Sequence, residues 1–134
     1  MLIGHLVAAG WSVKALARPH SAHRIPDLPG LETIIGSLQD SQSMSRLLQG
    51  ACAVVHCAGA VRGATAAEFN AVNVDGVKQL ARVALTLSPK PRFLSLSSLA
   101  ARAPQLSYYA ASKRQGEHVL AGMAEDMEWV ALRP

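Results

Sequence analysis

Apolar positions recur at helical spacing in some stretches and at strand spacing in others. Over residues 1–9, Leu2, Leu6 and Ala9 share one face, which predicts the end of a helix, with Gly10 as its C-terminal stop. WSVKALAR then sets Val13, Ala15 and Ala17 against Lys14 and Arg18, a short strand. Residues 19–30 collect prolines and glycines and read as an irregular connection. LETIIG is a second strand, and Asp40 or Ser41 caps a short helix ending near Gly50. ACAVVHCAG is a continuous apolar run, as expected of a strand buried on both faces. Residues 66–87 predict one long helix with Phe69, Val72, Val74, Val77, Leu80 and Val83 on or near one side. RFLSLSS is another buried strand, a helix runs from near Ser107 to about Ala124, and EWVALRP is the last strand.

Short apolar strands separated by helices are the pattern of parallel βαβ units. The fold class expected is therefore α/β, with a doubly wound parallel sheet. Right-handed crossovers would place helices on both faces, and a ligand should sit at the carboxyl ends of the strands.

Composition narrows the function classes. With 134 residues the chain is one domain at most, and 50% hydrophobic residues are enough for a core. Only 16% of residues are charged, which excludes a disordered chain. The net charge of +4 is scattered and not interleaved with aromatics, so nucleic acid is not an expected partner. Cys52 and Cys57 form no disulfide framework, and their odd spacing would put them on opposite faces of a strand. They read as buried, reduced residues of a cytoplasmic protein, and with only His56 beside them they do not suggest a metal site. No apolar run is long enough to span a membrane. The opening segment lacks the positive leader of a signal peptide, and Lys14 interrupts it. No internal repeat appears.

The chemistry concentrates in Tyr109-Ala110-Ala111-Ser112-Lys113, preceded by Ser97-Ser98 at the end of a strand. On a helix Tyr109 and Lys113 share one face. An ammonium beside a phenol favours the phenolate, so Tyr109 could exchange a proton with a hydroxyl or carbonyl oxygen that a serine hydroxyl holds. Ser97 reads as structural, because strand neighbours point to opposite faces. Tyr108 reads as a packing or surface residue, and His5, His20 and His23 as surface residues. His56 reads as a satisfied histidine at a strand end, and Glu117 as the partner of a helix-face pair with Lys113.

In these residues the sequence resembles the short-chain dehydrogenase/reductase superfamily, and within it the extended, NAD-dependent epimerase/dehydratase-like branch. Gly36-Ser37-Leu38-Gln39-Asp40 is similar to that branch's GDLxD segment. Val54-Val55-His56-Cys57-Ala58-Gly59-Ala60 resembles its VxHxAA strand end, and Asn73-Val74-Asp75-Gly76 its NVxGT helix, with Val77 in place of Thr. SSLAARAPQLSYYAASKRQGE is similar to the active-site region, and WVALRP to the strand ending in LRP. The resemblance covers nearly the whole chain and implies a Rossmann-like, dinucleotide-binding domain over residues 1–134.

The resemblance implies roles as follows. Tyr109 would be the general acid/base. Lys113 would favour its phenolate and hold the nicotinamide ribose, and Ser98 would hydrogen-bond the reacting oxygen. Ala58, Gly59 and Ala60 would let the cofactor pass closely, and Asn73 would brace its helix against the neighbouring strand or hold a water near Lys113. Ser37 and Leu38 would lie near the adenine, although Ser37 stands where the family usually has Asp, which weakens that contact. Arg18 ends its strand with no acid adjacent, which leans the cofactor to NADP over NAD. A homodimer through the helices at 66–87 and 107–124 is also implied.

One departure stands out. The family opens on a strand and a glycine loop that cradles pyrophosphate at a helix N-terminus. Here Gly4 reads as lying inside the first helix, so the first, central strand and the loop are expected to be lacking. The chain then reads as an internal piece of about half a family member, unstable by itself. The expected function is an NAD(P)-dependent oxidoreductase or epimerase/dehydratase. Its substrate would be a small hydroxyl or carbonyl compound or a nucleotide sugar. The short segment from Ser98 to Tyr109 lacks the extra carboxylates of a dehydratase, which favours simple redox chemistry or epimerisation. The alternatives are a non-catalytic dinucleotide sensor and an inactive fragment.

Overall fold

The computed structural model describes residues 2–134. The chain forms two compact units, one ending at Gln49 and one spanning Gly50–Pro134.

The first unit begins with helix α1 (Leu2–Ala8), which contains Gly4. It stops where Gly10 takes φ +86°, the left-handed conformation that glycine adopts without a Cβ penalty. Strands β1 (Val13–Ala17) and β2 (Leu31–Ile35) pair in parallel, with Val13 opposite Leu31 and Ala17 opposite Ile35. A 3₁₀ turn at Pro19–Arg24 lies between them. Helix α2 (Ser41–Leu48) is capped by Asp40, whose carboxylate accepts from the N–H groups of Gln42 at 3.1 Å and Ser43 at 3.2 Å. The Ser43 hydroxyl donates to the same carboxylate, and this bond holds the Asp40 carboxyl below its ordinary value. At the far end Lys14 Nζ donates to Gln49 O at 3.0 Å. Met44 and Leu48 of α2, Ala17 of β1 and Ile34 of β2 are this unit's buried apolar residues.

The second unit carries a parallel sheet ordered β3 (Ala53–His56), β4 (Arg92–Leu96), β5 (Trp129–Leu132). Val55, Leu94 and Val130 form one row across it. Its helices are α3 (Ala66–Asn73), α4 (Asp75–Leu85) and α5 (Tyr108–Ala121). Thr65 caps α3 and Ser107 caps α5 through their side-chain oxygens. Val54, Phe69, Val77, Leu80, Phe93 and Leu120 are buried in the core. The fold is Rossmann-like α/β, with incomplete sheets of two and three parallel strands.

Three sequence expectations change here. The single helix over 66–87 is two helices, broken at Val74 with φ −115° and ψ −61°. Apolar spacing runs straight through the break, so periodicity could not reveal it. Its neighbour Asn73 directs its side chain to a distant loop instead of to solvent, and Gly116 of α5 lies close against the Asn73 carbonyl.

Nor is the apolar run at β3 buried on both faces. Val54 and His56 are buried, whereas Ala53 and Val55 are exposed, Val55 by 42%. The covered face faces α5, as the Ser97–Glu117 hydrogen bond of 2.6 Å shows, and the row containing Val55 and Val130 lies on the other face.

Cys52 and Cys57 flank β3 instead of belonging to it. Both are exposed free thiols and not buried residues.

Candidate active site

Each unit gathers part of the expected site at the carboxyl ends of its strands. In the first unit Arg18 follows β1 directly and is exposed. Gly36 follows β2 and donates its N–H to Ala17 O at 3.0 Å, which brings the Gly36-Ser37-Leu38 segment beside the end of β1. Position 36 has no room for a side chain, because a Cβ there would overlap the Ser43 side chain. Arg18, Ser37 and Leu38 are thus at one end of a two-stranded sheet.

The second unit joins loop 57–60, the α3–α4 break, the end of β4 and α5. Asn73 is buried and uses its whole amide. Its Oδ1 accepts from Ala60 N–H at 2.8 Å, and its Nδ2 donates to Ala60 O at 3.0 Å and to Ser112 Oγ at 2.9 Å. Both amide protons are committed, and the side chain ties its helix to the loop at Ala60 and to α5 rather than to a neighbouring strand. Ser112 passes the connection on by donating to Tyr109 O at 2.8 Å. The sequence reading missed Ser112, whose only signal was a small polar residue between Tyr109 and Lys113.

Lys113 Nζ donates to Leu96 O at 2.7 Å, which leaves two N–H groups for a ligand. A Cβ at position 59 would lie 3.6 Å from Lys113 Nζ and 3.4 Å from Asn73 Oδ1, so glycine keeps the space beside the ammonium open. Burial lowers the lysine below its ordinary value, with Glu117 and Cys57 acting in the opposite direction. One turn earlier on α5, the half-buried Tyr109 packs its ring edge-on to Phe69, with centroids 6.2 Å apart. Ser98 caps the 3₁₀ turn Leu99–Arg102, its oxygen accepting from Ala100 N–H at 3.2 Å. The Ser98 proton remains free to donate elsewhere.

Ser97 is buried and bonded to Glu117, as its structural reading anticipates. Glu117 does not rely on Lys113. It takes Arg133 on both carboxylate oxygens and Arg114 at 3.6 Å, and the Arg133 guanidinium holds its carboxyl below the ordinary value. Arg133 lies in the LRP segment, but no sequence signal named its partner. Tyr108, His5, His20 and His23 are exposed, as read.

His56 departs from its reading as a satisfied histidine. It is 3% exposed, its ring lies 6.3 Å from that of Phe93, and its Nε2 has no hydrogen-bond partner among the described residues. Its pKa is pushed down to about 4, first by burial and second by the Lys113 charge. As pH falls, the unfolded chain takes up this proton near its ordinary value while the folded chain does not. Stability is therefore full above about pH 6.5 and lost as pH falls towards about 4, by roughly 3 kcal/mol from this group. Urea unfolding at pH 7 and pH 5 should show about 2 kcal/mol of this loss and show it reduced in His56→Leu. Equal losses in both proteins would refute the assignment.

The space kept by Gly59 lies beside the two uncommitted Lys113 N–H groups, donors that suit the hydroxyls of a ligand. Among the described residues no glycine loop opens a helix for the pyrophosphate. Gly4 is inside α1, and a Cβ there would meet nothing within 4 Å.

Comparison with known proteins identifies the family and fold. A family model described as NAD(P)H-binding matches residues 1–134. A ceramide reductase of Caulobacter vibrioides is 38% identical over 134 residues, which cover 97% of this chain and 41% of that protein. The Bordetella bronchiseptica enzyme WbmG, solved with NAD and UDP, is 25% identical with a TM-score of 0.82, covering 98% of this chain and 48% of the other. The UDP-glucuronic acid 4-epimerase of Bacillus cereus, solved with NAD, shares the fold at 19% identity and a TM-score of 0.80, covering 98% and 51%. The chain thus spans about half the length of these solved structures, and less of the curated relative. No helix among the described residues is long and apolar enough to cross a membrane.

Proposed function

The chain belongs to the NAD(P)H-binding family, and on that premise we propose that it carries the proton-transfer centre of an NAD(P)-dependent oxidoreductase acting on a carbonyl or hydroxyl carbon. The observation that carries this reading is Lys113, tied to Leu96 O, open on the Gly59 side, and one helical turn from Tyr109. A bound dinucleotide supplies or accepts the hydride. Lys113 holds the ribose hydroxyls with its two uncommitted N–H groups. Tyr109 gives its phenolic proton to the substrate oxygen in reduction and takes it back in oxidation. Ser98 donates its free proton to the same oxygen and fixes its position. Ala58, Gly59 and Ala60 let the cofactor approach the backbone, and Asn73 holds that loop in place.

The substrate class we favour is a ketone or secondary alcohol on an apolar scaffold. Between Ser98 and Tyr109 the only charged residue is Arg102, and Leu99 and Leu106 are exposed, Leu106 by 77%. The likeness to a ceramide reductase supports the same choice. The likeness to WbmG, solved with UDP, supports epimerisation of a nucleotide sugar as the second reading. The test is NADPH consumption by the intact protein, given a long-chain keto-amide in one arm, with UDP-sugar epimerisation followed by NMR in the other. Turnover in one arm selects that reading. Nucleotide binding with turnover in neither selects a sensor module.

Arg18 supports NADP over NAD, because a guanidinium suits the additional phosphate. Arg18→Ala should weaken NADPH binding about tenfold while leaving NADH binding nearly unchanged, as fluorescence titration would show. Equal losses for both nucleotides would remove Arg18 from this role.

A further inference from the structure

Three successive residues at the end of β4 each have a separate task. The Leu96 carbonyl accepts from Lys113 at 2.7 Å, the Ser97 hydroxyl donates to Glu117 at 2.6 Å, and Ser98 offers its own hydroxyl. Lys113 and Glu117 lie one turn apart on the same face of α5. Two adjacent residues of the strand are thus pinned to two adjacent turns of the helix. A slide of one residue along the helix axis is about 1.5 Å, enough to break both bonds.

Glu117 extends this attachment to a third element. It is 7% exposed and accepts from Arg133 Nε at 2.7 Å and from Arg133 Nη2, with Arg114 Nη1 at 3.6 Å. Arg133 follows β5 directly, so one carboxylate joins the ends of β4 and β5 to α5. Apolar residues would hold three elements together with less desolvation. A network of directional bonds around the buried Glu117 carboxylate fixes relative position more sharply, because each bond depends on direction as well as distance.

We propose that Glu117, with Ser97 and Arg133, is the positioning device of the active site, setting the register of α5 on β4 that brings Lys113 and Ser98 to the same nucleotide end. The proposal rests on the functional reading above. Glu117 is taken up by Ser97, Arg133 and Arg114, and in this proposal it acts through Lys113 rather than by contact with substrate or cofactor. The Coulombic influence of Glu117 on Lys113 is consistent with that route.

The test uses the intact protein, with NADPH affinity measured by fluorescence titration and thermal unfolding measured alongside. Ser97→Ala removes one hydrogen bond and leaves the Glu117–Arg133 pair in place. It should weaken NADPH about fivefold with little change in Tm. In a Lys113→Met background the same substitution should change NADPH affinity no further. Glu117→Gln keeps one oxygen that can accept from Ser97 and Arg133 Nε, loses the acceptor for Arg133 Nη2, and should bind NADPH better than Glu117→Ala; failure of Glu117→Ala to fold leaves the Ser97 arm unaffected. A Ser97→Ala protein with lowered Tm and unchanged NADPH affinity would make the network merely structural. A fivefold loss persisting in Lys113→Met would show that it does not act through Lys113. If the parent protein binds neither NADPH nor NADH, the functional reading fails first, and that result is distinct from either of these.

Discussion

Tyr109→Phe is expected to lower turnover by a factor of about 10² to 10⁴ while leaving nucleotide affinity and the fold unchanged. The ring of Tyr109 packs edge-on against Phe69, a contact that phenylalanine keeps. Its backbone carbonyl, which accepts from Ser112, is also kept. The substitution therefore removes only the phenolic hydroxyl and, with it, the transferable proton. Without it, reduction would leave an alkoxide with Ser98 as its only hydroxyl donor from this site, and the barrier rises accordingly. Lys113→Met should behave differently, because it loses the ribose contacts and the charge together, so affinity and turnover both fall. NADPH consumption with an accepted substrate, paired with fluorescence titration, separates the two patterns. A Tyr109→Phe protein that retained turnover within tenfold of the parent would exclude Tyr109 as the acid.

The second large effect is on stability. Gly116→Ala should destabilise the protein by about 2 kcal/mol or more, although alanine is the better helix former by about 1 kcal/mol. The sign reverses because a Cβ at 116 would lie 2.5 Å from the Asn73 carbonyl oxygen, a backbone atom, and 3.7 Å from Val77 Cγ2. Neither α5 nor the α3–α4 break can yield without disturbing Asn73, whose side chain holds Ala60. The substitution should therefore also weaken nucleotide binding. Gly59→Ala is the contrast, since its Cβ would meet Asn73 Oδ1 at 3.4 Å, an ordinary contact distance. It should fold normally while crowding the space beside Lys113. Urea unfolding of the three proteins decides the matter, and a Gly116→Ala protein more stable than its parent would show that α5 does not lie this close to Asn73.

The site was partly legible because its clearest feature is local. Tyr109 and Lys113 share a helix face by spacing alone, and Ser98 follows an apolar strand. Glycine at position 116 had no such mark, since its reason is a carbonyl on another helix. The exposure of Cys52 and Cys57 was misread for a related reason. An apolar run says that a strand is present, but what covers each face depends on elements elsewhere in the chain.

The sequence by itself determined the order of helices and strands, the stop at Gly10, a cap at Asp40 or Ser41, the parallel α/β class and the helix face shared by Tyr109 and Lys113. Each of these follows from backbone geometry and neighbours within a few residues. Only the tertiary structure decided the break at Val74, the choice of Asp40 as cap, the His56 Nε2 left without a partner among the described residues, the commitment of Asn73 to Ala60 and Ser112, and the gathering of Ser97, Arg114 and Arg133 around Glu117. Most of those contacts join residues far apart in the chain. Their bonds form only after the intervening chain has folded, so the sequence near any one residue carries no periodicity or spacing that specifies its partner.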